Sequence, residues 1–337
     1  MRLVVLVAVV LVAAAPAGAA RRTRVLDRPD RADLGFGPVV DRLGARGLAA
    51  PIGFWGGEYT TQTNERVRVF SSPTYEVDHA ANQRWAEFLA GLLHGPELAS
   101  VTVYLASPPE VRDLCGGNAD VRGCYSAGRI IGLGEDVGDA TAESVLAHEY
   151  GHHVAANRSN APWPALGWGT KRWSSYLDVC RLARAKQIYP GAEAPLLYSF
   201  NPGEGFAEVY RLLNERRAGV PETPWRVVDR MYRPDARALA LLQQDVLDPW
   251  VANRTLTLSG RLPVAGAART FRVATPLDGT LTARVTRGAR VAVFAGSRRL
   301  ARGGDVETIV CGARTTTFRV TPFGSGTGRF TLTLSLP

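Results

Sequence analysis

Between Ser144 and Val154 the chain reads Ser-Val-Leu-Ala-His-Glu-Tyr-Gly-His-His-Val, with His148, Glu149 and His152 at H-E-x-x-H spacing. Residues four apart on an α-helix share a face, so two imidazoles at this spacing can point at one cation. Glu149 lies one residue further round and can reach a water on that cation without ligating it. The chemistry implied is that of a zinc hydrolase, with His148 and His152 as ligands and Glu149 as general base. No charged residue other than Glu149 occurs from Val145 to Ala156, which suits a helix buried inside a domain. His153 is turned about 100° from His152, and its expected role is polar support rather than ligation.

A catalytic zinc takes three protein ligands and keeps one position open. No histidine follows His153, so a third ligand downstream must be a carboxylate or, less commonly, a tyrosine. The metzincin continuation is excluded, because Ala155 and Arg158 stand where it needs glycine and histidine. The best source is Asn201-Pro-Gly-Glu-Gly-Phe-Ala-Glu-Val-Tyr210, where Pro202 and Gly203 open a helix with Glu204 and Glu208 on one face. Two acids so placed repel each other unless a cation or a histidine N–H lies nearby. Glu204 is therefore assigned to the metal and Glu208 to holding the ring of a ligand histidine.

With His148, Glu149, His152, Glu204 and Glu208 in this order, the stretch from Val101 to Asn214 resembles the gluzincin zinc metallopeptidases, which have a thermolysin-like order of ligands. The resemblance implies a mainly helical zincin-like domain with a small sheet, a bound Zn2+ and a peptide substrate. Two departures accompany it. His152 and Glu204 are 52 positions apart, wider than in thermolysin, and no downstream histidine is present to steady an oxyanion. Tyr198 or Tyr210 can take that role, Tyr198 being preferred because a loop position lets its hydroxyl turn into the cleft. The aspzincin pattern, Gly-Thr-x-Asp, meets Gly169-Thr170-Lys171-Arg172. Arginine in the ligand position discounts that pattern and leaves Asp178 a distant outsider.

These residues need elements to position them. A helix is expected over Thr141 to Asn157, with Thr141 as its cap. Ahead of it, Arg66 to Ser71 alternates like a strand, and Asp78 to Leu93 carries apolar residues at helical spacing between His79 and His94, both surface or capping histidines. Val101 to Leu105 reads as a strand closed by Pro108-Pro109. Gly123 to Gly134 reads as a strand or hairpin arm that either borders a cleft and holds extended peptide or is purely structural. Ser159 to Thr170 reads as a loop, and Lys171 to Lys186 as a single helix.

At 337 residues and 46% hydrophobic content the chain has room for two domains. Residues 1–20 have the charged start, apolar run and small-residue end of a secretory signal peptide, and no other segment is long and apolar enough to span a bilayer. The expected protein is thus exported and soluble. Residues 21–57 form an N-terminal arm or pro-segment, 58–220 the catalytic domain, and 221–250 a helical connector. Four cysteines in an oxidising compartment point to disulfides: Cys115 with Cys124 across a short loop, and Cys180 with Cys311 by elimination.

From 251 to 337 the period changes to two. Leu256 and Leu258, Phe271 and Val273, Leu281, Ala283 and Val285, Val291 and Val293, Phe318 and Val320, and Phe330 to Leu336 alternate with Thr, Arg or Ser, as in an antiparallel sandwich. Its last strand resembles that of bacterial pre-peptidase C-terminal modules, which accompany secreted peptidases. The fold class expected is therefore α+β followed by an all-β module. This last segment holds thirteen arginines and three acids, a surplus of ten against +9 for the whole chain. An acidic surface polymer is the partner such a module would suit, and base stacking is disfavoured by its few aromatics. The leading function is a secreted zinc-dependent peptidase. The alternative is a non-catalytic cell-surface or polyanion-binding protein built on a metal-stabilised peptidase-like domain. Oligomeric state is not specified by the sequence.

Overall fold

The computed structural model describes residues 51–116, 120–286, 288–312, 314–323 and 328–337. The signal-peptide segment and most of the arm assigned to 21–57 lie outside the described residues. Two compact units divide the chain, one running up to Trp250 and the other from Val251 to Pro337, and the protein is a mixed α+β structure.

In the first unit a five-stranded sheet is built from β1 (Trp55–Thr60), β2 (Arg66–Ser71), β3 (Thr102–Ala106), β4 (Gly123–Ser126) and β5 (Arg129–Leu133), in the spatial order β1-β2-β3-β5-β4. β1 begins three residues inside the segment assigned to the arm. The two hairpins are antiparallel, while β2/β3 and β3/β5 are parallel. A parallel neighbour needs a crossover, and α1 (His79–Gly91), capped by the Asp78 carboxylate on the Ala81 N–H, supplies the one between β2 and β3. Val67, Val69, Val103, Leu105, Ile130 and Leu133 bury the sheet. The expected hairpin over Gly123 to Gly134 is present, with β4 at the edge of the sheet. Its two turn residues, Ala127 and Gly128, both have positive φ, as a tight two-residue hairpin requires.

The helices that follow are α2 (Pro108–Leu114), α3 (Ala142–Ala156), α4 (Ala165–Trp168), α5 (Lys171–Tyr176), α6 (Val179–Arg184), α7 (Pro195–Tyr198), α8 (Pro202–Ala218) and α9 (Ala236–Leu247). Three places correct the sequence reading. Pro108-Pro109 ends β3 but also opens α2, because proline is tolerated in a first turn and the Glu110 carboxylate turns back to accept from the Ser107 N–H at 2.9 Å. The segment Ser159 to Thr170 is no plain loop, for it holds the two-residue strands β6 (Ser159–Asn160) and β7 (Trp163–Pro164) as well as α4. Lys171 to Lys186 is two helices, broken at Asp178, which sits left-handed at φ 56° and ψ 30°. Aspartate tolerates that conformation, and the apolar spacing continues across the break.

Arg172, at the position where an aspzincin would carry its aspartate, is tied to Asp245 of α9 at 2.9 Å. Asp245 also accepts from the Arg172 and Trp173 N–H groups and from Thr170 Oγ1, so it caps α5 from another helix.

The second unit is an antiparallel sandwich of two four-stranded sheets. One has the order β13-β10-β15-β8 and the other β12-β11-β14-β9, from β8 (Arg254–Leu262), β9 (Arg269–Ala274), β10 (Gly279–Val285), β11 (Ala289–Ala295), β12 (Arg298–Gly303), β13 (Asp305–Val310), β14 (Thr315–Pro322) and β15 (Gly328–Leu336). The apolar residues of the period-two pattern meet in its core. Sequence reading missed β12, whose arginines and glycine obscure the alternation, and β13, where Thr308, Ile309 and Val310 are buried in succession and break the period of two. Phe318 is fully buried at the centre of β14, opposite Phe271. Phe318→Ala is expected to cost about 3–5 kcal/mol, read as an earlier urea midpoint by circular dichroism.

Candidate metal centre

α3 starts where the Thr141 hydroxyl accepts from the Ser144 N–H at 3.1 Å. Its residues from Ser144 to Ala155 are all buried, which fits the absence of charge in that stretch. α8 starts where Asn201 Oδ1 accepts from the Gly203 N–H at 2.9 Å with Pro202 in the first turn, and it stops at the left-handed Gly219. The two helices meet at small residues. A Cβ built on Gly151 would lie 2.8 Å from the Ala207 Cα and 3.2 Å from the Ala207 carbonyl oxygen. Only glycine permits this approach.

The approach brings His148, His152 and Glu204 together. Glu204 Oε2 lies 3.2 Å from His148 Nε2 and 3.3 Å from His152 Nε2, and all three side chains are buried. One donor atom from each residue falls within 4.8 Å of the other two, a group able to hold a metal ion. Ligands about 2.0–2.1 Å from a tetrahedral ion lie about 3.3–3.4 Å apart. The two carboxylate–imidazole separations have that length, and the donor set is two nitrogens and one oxygen, so the residues fit zinc.

The other ring nitrogen of His148, Nδ1, donates to Glu208 Oε2 at 3.1 Å. This aims Nε2 at Glu204 and fixes the ring. Glu208 is held in turn by Arg211 through Nη2 at 2.6 Å and Nε at 3.0 Å, and Arg211 bonds Glu215 at 2.6 Å. Burial works against a charged His148, but hydrogen bonds to Glu204 and Glu208 and the charge of Glu149 outweigh it and raise its pKa to about 10. Burial raises the Glu204 and Glu208 carboxyls, yet their histidine and arginine partners win. Glu204 ends well below the usual carboxylate range, and Glu208 at about 2.

Glu149 is buried beside this group. Burial pushes its pKa up, His148 and His152 pull it down, and the Glu204 charge raises it, for a net upward shift. The strand β4 passes directly over it. A Cβ on Gly123 would lie 2.9 Å from Glu149 Oε1 and 2.8 Å from Val145 Cγ1, and one on Gly132, paired with Gly123 across the hairpin, 2.7 Å from Leu146 Cδ2. The paired glycines let the sheet lie against α3. Next to Gly123, Cys124 is disulfide-bonded to Cys115 as expected, and no cysteine is free.

Tyr198 is not in a loop but ends the short helix α7, and its hydroxyl donates to Glu204 Oε2 at 2.6 Å. Burial and the charge of Glu204 raise its pKa well above the ordinary value, so it remains a donor at neutral pH. Tyr210 points elsewhere, donating to the Leu93 carbonyl. His153 is turned away as expected, its Nε2 2.9 Å from the Glu97 carbonyl oxygen. His79 bonds the Tyr59 hydroxyl, and His94 faces Glu65. Asp178 lies outside the group and pairs with Arg181. Arg211 and Gly123 were missed. Arg211 sits three residues after Glu208 and four before Glu215, helical ion-pair spacing that was there to be read. Gly123 gave no local signal, because what it approaches is distant in sequence.

No protein-family model matches the chain, and no curated protein matches it. Among solved structures, likenesses include the Aeromonas hydrophila PliG, a periplasmic inhibitor of g-type lysozyme, with 14% identity over 26% of this chain and 88% of that one and a TM-score of 0.23. The Yersinia pseudotuberculosis-derived mitogen matches at 11% identity over 25% and 87%, TM-score 0.21. The IMPa metallopeptidase from Pseudomonas aeruginosa matches at 16% identity over 48% of this chain and 23% of that one, TM-score 0.18. At these scores the functional reading rests on the site itself.

Two outcomes follow from the geometry. Alanine at an exposed helix interior gains about 1 kcal/mol over glycine, but at Gly151 the added methyl meets backbone. Overpacking costs about 1–3 kcal/mol, so Gly151→Ala is expected to lower the melting temperature and weaken metal binding. A raised melting temperature would refute the tight crossing. Metal entry must also expel the His148 proton, which is held up to about pH 10. Zinc affinity, measured against a chelator corrected for its own protonation, should therefore rise with pH below that value, roughly tenfold per unit for one displaced proton.

Proposed function

We propose that this chain is a secreted zinc-dependent metallopeptidase of gluzincin type, with His148, His152 and Glu204 holding Zn2+. The observation that carries this reading is the meeting of the three donors with Glu149 beside them. Zinc in such a site supplies Lewis acidity toward a carbonyl oxygen and toward a water molecule. Glu149 accepts the proton from the attacking water and passes it to the leaving amine, a task suited to a carboxylate shifted upward by burial. Glu208 and Arg211 keep the His148 ring oriented. Tyr198, protonated and bonded to Glu204 Oε2, would donate to the developing oxyanion by turning its single O–H away from Glu204. An extended peptide paired with the edge strand near Gly123 would run past Glu149.

In this reading residues 58–220 are catalytic, 221–250 connect, and 251–337 form an accessory module. Export is supported by the apolar start of the sequence and by the Cys115–Cys124 disulfide. Among the described residues no helix is long and apolar enough to cross a membrane.

Digestion of a broad peptide library with mass-spectrometric readout tests the activity, which should be zinc-dependent and chelator-sensitive. Glu149→Gln should retain one zinc per chain while the rate falls on the order of 10²–10⁴-fold. An undiminished rate would rule the mechanism out. The second reading, a non-catalytic polyanion-binding protein, is favoured by the arginine content of 251–337. Stoichiometric zinc with no cleavage by the native chain would select it.

A further inference from the structure

The arginines of the second unit are sorted by strand register. In the sheet β12-β11-β14-β9, side chains alternate between the core and the outer face. Phe271, Val273, Val291, Val293, Phe318 and Val320 point inward. Their neighbours Arg272, Arg290 and Arg319, exposed or half-buried, therefore stand on the outer face. The pairings Arg272↔Thr317, Arg319↔Thr270 and Arg290↔Thr321 place these three arginines on successive strands, each step one strand across and two residues along. They form a diagonal row with roughly 7–8 Å between successive side-chain roots. Arg299 adds a further exposed guanidinium on β12, opposite Phe294.

The three acids of 251–337 are Asp278, Asp305 and Glu307. Asp305 and Glu307 belong to β13, in the other sheet, and Arg284 there pairs with Asp305. Asp278 is buried, accepting from the Gly312 N–H and from Arg314. The Arg272, Arg319 and Arg290 row thus has threonines, not carboxylates, between its members. The other face sets Arg329 opposite Arg261 but pairs Arg284 with Asp305, whereas this row has no acid of 251–337 beside it. Concentrating like charge there costs self-repulsion, which an anionic partner removes.

We infer that the outer face of the β12-β11-β14-β9 sheet is a docking surface for a linear phosphodiester-linked glycopolymer, whose phosphate groups are taken in turn by Arg272, Arg319 and Arg290. The roughly 7–8 Å step of the row is nearer one phosphodiester repeat than the shorter repeat of a carboxylate-bearing sugar. Guanidinium groups grip phosphate in a bidentate manner, and the threonine hydroxyls between them suit a hydroxyl-bearing backbone. Nucleic acid fits less well, since bases need open rings to stack on. Of the aromatics on this side, Phe294 is half-buried and the Phe323 ring is covered by the Arg290 guanidinium at 3.8 Å. The inference is independent of the peptidase reading, because none of these residues belongs to the metal centre.

The test uses the full chain and two labelled probes, poly(glycerol phosphate) and polygalacturonate, with a single-stranded oligonucleotide as competitor. Affinity is read by fluorescence anisotropy at two salt concentrations. Poly(glycerol phosphate) should bind, more weakly at higher salt, and Arg272→Ser/Arg290→Ser/Arg319→Ser should weaken it about tenfold or more. The control Arg261→Ser/Arg284→Ser/Arg329→Ser removes the same charge from the opposite sheet and should change affinity less than about twofold. Polygalacturonate, the carboxylate alternative, should bind more weakly. Equal losses in both triple variants, no binding of poly(glycerol phosphate), tighter binding of polygalacturonate, or displacement by the oligonucleotide at lower concentration would each overturn the inference. Arg272→Ser/Arg319→Ser leaves Arg290 on Phe323 and serves if the triple variant is unstable.

Discussion

Everything at the metal centre depends on how closely α3 and α8 approach, and that distance is set where Gly151 meets Ala207. The geometry has a simple arithmetic. His148 and His152 lie three residues before and one after Gly151, and Glu204 and Glu208 lie three before and one after Ala207. On each helix those two positions flank the contact on the same face. A single close crossing therefore delivers two imidazoles and two carboxylates to one place. A larger residue at either contact would part the pairs while leaving each helix intact.

The crossing concentrates charge that is largely withdrawn from bulk water. Glu149, Glu204, Glu208 and Glu215 are all buried, and Arg211 is bonded to Glu208 and Glu215. Buried carboxylates are costly unless paired. Arg211 answers for Glu208 and Glu215, and protonated His148 answers for part of the rest. A divalent cation between Glu204 and the two histidines, which displaces the His148 proton, would replace that charge and add one more. The electrostatics and the donor geometry thus favour the same occupant by separate physical routes, one from the sign of the charge and the other from the length of the separations.

Much of this was legible in the sequence because it is local. Helix period, the cap at Thr141, the Pro202-Gly203 start of α8 and the four-residue spacings of both pairs all lie within one helix length. The lack of histidines after His153 also left few residue types able to complete the site. What escaped was either non-local or locally ambiguous. The role of Gly123 exists only because β4 folds over Glu149. The break at Asp178 is a backbone choice that leaves the apolar spacing unchanged. Strand β12 hid because its arginines and glycine carry no hydrophobic alternation, and β13 because three successive residues, Thr308 to Val310, are buried together. Tyr198 was expected to turn freely from a loop, but a short helix fixes it against Glu204.

The glycine pair of the β4–β5 hairpin shows why a constraint outside the ligand set matters to the chemistry. Glu149 is bound by no ligand bond, so its carboxylate stays where packing leaves it, between α3 and bare backbone at Gly123. Proton transfer is sensitive to displacements well under the size of a side chain. An edge strand, hydrogen-bonded to one neighbour only, is a weak wall for that purpose. Here the wall is stiffened at the adjacent residue by the Cys124–Cys115 bond, which ties β4 to the end of α2. Because that covalent restraint acts one residue from Gly123, it limits motion where Glu149 would feel it, while the ligand histidines are held separately by α8. The metal donors and the general base are thus positioned by different parts of the fold.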